Sequence, residues 1–222
     1  MLRIQQCVLI IATLLLSWLL MQDVHELGHM AAAWMSGGRV TNVILDPFSI
    51  SRTDVEPNPH PLVVVWGGPI VGALLPMGVW TIFKTLWRSS GFLKFLAGFC
   101  LIANGAYIGA GSIQRIGDCG EMLRHGSPIW LLWLFGLFCV AAGLWVWNGV
   151  GVYFGLGKDA PQIRGHSIAF TVIALVVVAM FGLILSEREM NVRRETRELD
   201  AAAQKEIQAR AKQPMLEKTG KQ

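Results

Sequence analysis

Five stretches of the chain, residues 4–35, 61–83, 92–113, 128–154 and 167–185, are each apolar and long enough to cross a bilayer, and nothing else constrains the fold as strongly. Inside hydrocarbon every backbone N–H and C=O must be satisfied within the segment, so each stretch is read as a helix. The fold class expected is an all-α polytopic membrane protein with about five transmembrane helices. The connections 84–91, 114–127 and 155–166 are short and leave no room for a separate soluble domain. The connection 36–60 differs. It carries Gly37-Gly38, then Val40, Val43, Ile44 and Leu45, turn-forming Asp46-Pro47 and the breaker-rich Glu56-Pro57-Asn58-Pro59. That pattern reads as a short β segment of one or two strands on or near the membrane.

Composition agrees with this reading. Of 222 residues, 53% are hydrophobic and 15% charged, too apolar a balance for a disordered or ordinary soluble protein. The charge is unevenly placed, with 9 of the 19 Lys and Arg and 7 of the 15 Asp and Glu lying from Glu187 onward. A membrane domain over residues 1–186 therefore carries a charged tail over 187–222. Val192, Leu199, Ala203 and Ile207 give the tail a weak helical stripe before Pro214, as expected of a solvated helix continuing from the last span. The net charge of +4 is explained by basic residues at membrane edges, because no basic stripe interleaves with aromatics, and nucleic acid is excluded as a partner in favour of the lipid bilayer. Trp34, Trp87 and Trp130 sit at span ends as interfacial anchors.

Cys7, Cys100 and Cys139 lie within apolar runs and Cys119 in a polar connection, so no disulfide framework is expected. Arg3 and the apolar run 7–21 resemble a signal peptide. Apolar character resumes after Asp23 to His29 and reaches Met35, which favours one uncleaved helix. With an odd number of spans, the N-terminus and the tail face opposite sides. The basic tail argues for tail inside, although the Lys and Arg of the loops alone favour the reverse.

The chemistry is concentrated in His25-Glu26-Leu27-Gly28-His29, an H-E-x-x-H pattern. Residues four apart lie one above the other on a helix, so two imidazoles can face one metal ion. Glu26 then stands beside the metal, placed to take a proton from water there. Ionisable residues are expensive near the end of a membrane helix and normally mark a pathway, a pair or a site. A catalytic zinc takes three protein ligands, so a third must come from elsewhere. The candidates near span ends are His60, Asp118, Cys119, Glu121, His125 and His166. The first and third spans cross in the same direction, which brings Asp118 to the side of His25 and His29. The second span begins on that side too, so His60 stays open, whereas His166 falls opposite. Asp118, between Gly117 and Gly120, is favoured.

His25-Glu26-x-x-His29 in an N-terminal membrane helix, Gly67-Gly68-Pro69 in the next, and Asn104 followed by Gly117-Asp118-Cys119-Gly120 together resemble the site-2 protease family of intramembrane zinc metalloproteases. More narrowly, they resemble its compact bacterial members without a soluble domain. The resemblance covers about residues 22–126. It implies Zn2+ as cofactor, His25, His29 and Asp118 as metal ligands, Glu26 as the catalytic general base, and Asn104 as a substrate-binding residue that holds substrate backbone or the oxyanion. It further implies that segment 40–45 receives an extended substrate, that substrates are membrane proteins or transmembrane peptides, and that the protein resides in the bacterial inner membrane. The alternative is a non-catalytic zinc-binding membrane protein that binds partners without cleaving them. The presence of Glu26 argues against it, since a protein that had given up hydrolysis has little reason to keep the base.

Overall fold

A computed structural model describes residues 2–45, 47, 51–86, 91–158, 160, 162–163 and 165–219. Asp46 and Trp87 lie outside the described residues. Helix α1 (Leu2–Met35) leads into a hairpin of β1 (Val40–Ile44) and β2 (Arg52–Val55), followed by α2 (Pro61–Leu86), α3 (Gly91–Gln114), α4 (Gly117–Arg124), α5 (Ile129–Trp147), a 3-10 helix (Val150–Phe154) and α6 (Gly165–Thr219). Five of these helices, α1, α2, α3, α5 and α6, are long and apolar enough to cross a membrane. The strands pair antiparallel, Val40 opposite Val55 and Ile44 opposite Arg52, with an irregularity between Val40 and Asn42.

Three boundaries differ from the sequence reading. The apolar stretch 128–154 is divided, because Gly149 takes a left-handed φ of +77° that ends the helix before the 3-10 turn begins. The connection 114–127 contains a helix, α4, whose Cys119 and Met122 are buried against Val65, Ile108 and Leu132. Its inward face is apolar enough for packing to override the two glycines that read as a turn. The last span and the tail form one continuous helix that runs past Pro214, where a proline removes a single backbone donor.

Helix α3 is the axis of the bundle, packed between α2 and α5 and touching α1 and α4. Lipid tails are as apolar as leucine, so membrane helices associate through close backbone approach and interhelical hydrogen bonds rather than through hydrophobicity. Both devices are present. Gly105 and Gly109 of α3 face Gly136 of α5, where a Cβ would lie 2.7 Å from the Gly109 Cα. The indole of Trp147 donates to the Phe95 carbonyl at 2.9 Å, and that of Trp133 donates to the Ser112 hydroxyl at 3.0 Å. The outer faces carry bare apolar side chains such as Leu137, Phe138 and Phe181, as a lipid-facing surface should. Trp34 and Trp130 are exposed at helix ends.

Candidate metal centre

The H-E-x-x-H segment lies in the last third of α1, and its helical register puts the rings of His25 and His29 side by side with centroids 4.8 Å apart. Both residues are buried, which α2 permits because it has no side chain at the point of contact. A Cβ on Gly68 would lie 2.8 Å from His25 Nε2 and closer still to the His29 ring, and one on Gly28 would strike the Gly67 backbone. Gly67 and Gly68 thus let α1 and α2 touch and leave room for two imidazoles between them.

Each ring makes one hydrogen bond that settles its tautomer. His29 Nδ1 lies 2.8 Å from the Val64 carbonyl oxygen, which can only accept, so Nδ1 carries the proton. Asn104 Nδ2 donates to the Cys100 carbonyl at 2.9 Å, which fixes the amide and turns Oδ1 toward His25 Nδ1, 2.7 Å away. That oxygen also can only accept, so His25 too is protonated on Nδ1. Both Nε2 atoms face inward, 3.1 Å apart, and a ring with its single proton on Nδ1 presents a lone pair there.

Asp118 supplies the third lone pair. Its Oδ2 stands 2.8 Å from His25 Nε2 and 3.3 Å from His29 Nε2. Three acceptors at this spacing repel unless a cation lies among them, either a metal ion or added protons. The triangle is small enough that one point lies about 2 Å from all three atoms, the bond length expected for a small divalent metal. Among the described residues His25, His29 and Asp118 form a group that could hold a metal ion. Burial pushes the Asp118 carboxyl up, but the hydrogen bonds it takes from His25 and His29 when those rings carry the added protons outweigh it and hold the group below the ordinary carboxylate range.

Asp118 reaches this position through the entry to α4. Gly117 has a left-handed φ of +55°, and its missing side chain makes room for the Tyr107 hydroxyl, which accepts the Asp118 backbone N–H at 3.1 Å. The Tyr107 ring also stands edge-on to His25, with centroids 5.9 Å apart.

The three groups open onto a cavity of about 1120 Å³ whose walls are α1, the start of α2, α3, α4 and the hairpin. Glu26 lines the same cavity while only 2% exposed, and Thr53 of β2 donates to its Oε2 at 2.7 Å. The hairpin's contribution comes chiefly from β2 and its flanks, from Ser51 to Glu56, with Thr41 alone from β1.

The structure distributes the other sequence candidates as follows. His60 is exposed before α2, and His166 is exposed at the start of α6. Glu121 and His125 line the cavity but face each other at 3.5 Å, with Arg124 also on Glu121. Cys119 turns its thiol to the Tyr107 carbonyl at 3.3 Å, and burial, with the Asp118 charge beside it, pushes that thiol up to about 11. Asn104 is buried, with both polar atoms engaged by the protein. Tyr107, Thr53 and the Val64 carbonyl were missed by the sequence reading. Tyr107 lies three residues after Asn104 on the same helical face, which was a usable signal. The other two depend on tertiary contact alone. The chain matches no protein-family model, no curated protein and no solved structure.

Proposed function

We propose that this protein is an intramembrane zinc endopeptidase of the site-2 protease type that cleaves membrane-embedded polypeptides, acting in a bacterial inner membrane. The observation that carries the reading is the convergence of His25 Nε2, His29 Nε2 and Asp118 Oδ2 on one point of a cavity that Glu26 also lines, within a bundle of membrane-spanning helices. Two imidazoles and one carboxylate suit zinc and leave a coordination position open, as hydrolytic sites do. Zinc held there supplies Lewis acidity toward the scissile carbonyl and makes water a nucleophile at neutral pH. The chain's own residues do the rest. Glu26 takes the proton of the attacking water and returns it to the leaving nitrogen. Thr53 holds one oxygen of that carboxylate and leaves the other free to work. The cavity has room for water and substrate beside the three groups, and β2 along its wall offers an extended segment a neighbour to lie against.

The test is zinc content and cleavage measured together, for wild type and Glu26→Gln. The reading expects about one zinc per chain in both proteins. It expects membrane fragments only in cells expressing wild type, scored against a panel of single-span reporter proteins and by terminal peptide profiling of the membrane fraction. Zinc without cleavage favours the non-catalytic, partner-binding alternative. No zinc in the reconstituted wild type sinks both.

A further inference from the structure

The geometry points to Asn104 as a positioning residue of the metal centre: its side-chain oxygen fixes the tautomer and the plane of His25 so that Nε2 is presented to the ion. This inference rests on the metal-site reading above but not on peptidase activity. It gives Asn104 a different task from the substrate contact that the family resemblance implied.

Four observations converge. Asn104 is 1% exposed and sits on the central helix of the bundle. Its amide cannot turn, because Nδ2 is spent on the Cys100 carbonyl one turn earlier in α3. Its oxygen meets His25 Nδ1 at 2.7 Å, the nitrogen remote from Asp118 and His29. The space for the amide is made by a third helix, since a Cβ on Gly72 of α2 would lie 2.7 Å from Asn104 Oδ1, 2.9 Å from Nδ2 and 3.0 Å from Cγ. An imidazole free of this acceptor can carry its proton on Nε2, where it competes with the metal. With the acceptor in place, Nε2 keeps a lone pair aimed at the ion. Groups that hold the remote nitrogen of a ligating histidine normally change metal affinity about 10- to 100-fold. His29 receives the same service from the Val64 backbone, which no substitution removes, so Asn104 is the member of the pair open to test.

The experiment measures Zn2+ affinity of the full chain in detergent micelles by competition with a chelating dye, together with the thermal midpoint of the metal-free protein. Asn104→Leu keeps the volume and removes the acceptor, and its affinity should fall about 10- to 100-fold with little change in midpoint. Asn104→Asp keeps an acceptor and should stay within about threefold of wild type. Gly72→Ala leaves the amide and all three ligands chemically intact but drives a methyl into the amide, and should weaken zinc in the same direction. An Asn104→Leu protein that binds zinc like wild type overturns the inference. So does an equal loss in the Leu and Asp variants, which would mean that packing or the bond to Cys100 is what matters. If Asn104→Leu does not fold, undiminished affinity in Gly72→Ala overturns it instead. Wild type without zinc overturns the metal site itself, an outcome distinct from all of these.

Discussion

Each histidine gives one ring nitrogen to the protein and the other to the cavity, so the capacity to hold a metal is set atom by atom. Replacing His29 or Asp118 by Ala removes one of three ligand atoms and should reduce zinc affinity by more than about 100-fold, beyond what loss of a supporting group costs. Metal analysis of the purified variants checks this. Gly68→Ala is more diagnostic, because in a helix that change ordinarily stabilises by up to ~1 kcal/mol. Here the new carbon falls within 2.8 Å of His25 Nε2 and against His29, so zinc should be lost although no ligand has changed. Chelator competition on this variant separates crowding of the site from loss of a donor. The two histidines and the glutamate were legible because helical spacing alone brings them together. The aspartate was legible only through the direction in which its span crosses. The Val64 carbonyl carries no pattern, since a backbone oxygen is recruited by whichever neighbour the bundle delivers, whereas Tyr107 shares a helical face with Asn104 and was open to the same reading.

At the scale of elements, the site depends on two close helix contacts and one hairpin. Helix α5 approaches α3 without side chains between them, so Gly136→Ala inserts a carbon 2.7 Å from the Gly109 Cα and 2.8 Å from the Gly105 carbonyl. Overpacking costs of about 1–3 kcal/mol exceed the gain in helix propensity, and thermal unfolding in micelles should show a lower midpoint. In the proposed peptidase the hairpin would act on the reaction through Thr53, which donates to Glu26. Thr53→Val leaves the three ligands untouched but frees the Glu26 carboxylate, so zinc content should be unchanged while reporter cleavage falls about tenfold, within the scale of general-base effects. Thr53→Ser should restore cleavage, because the donor returns. The strand 40–44 could be read from its β-branched residues, whereas Arg52-Thr53-Asp54-Val55 is polar and gains its strand character from pairing with β1. Helix α4 was hidden for the converse reason. Its glycines signal a turn, and the burial of Cys119 and Met122 that makes it a helix is a tertiary fact.

For the whole molecule, the site lies at one end of the bundle, where α1 and α3 finish, α2 begins, and the hairpin and α4 close the cavity. Five crossings put the start of α1 and the tail on opposite sides, and they put the cavity mouth on the side of the tail. Among the tail's described side chains, Val192, Leu199 and Ile207 are 61%, 71% and 67% exposed along a helix that has left the apolar span. Its basic residues predict a cytoplasmic tail, and with it a cytoplasmic position for the candidate metal site. A membrane-impermeant chelator tests this directly. Added to inside-out vesicles it should strip the zinc, and added to sealed right-side-out vesicles it should not. The opposite pattern would invert the orientation of every span while leaving the ligand set intact, because the three lone pairs converge through the relative directions of α1 and α3 and not through which side of the bilayer they face.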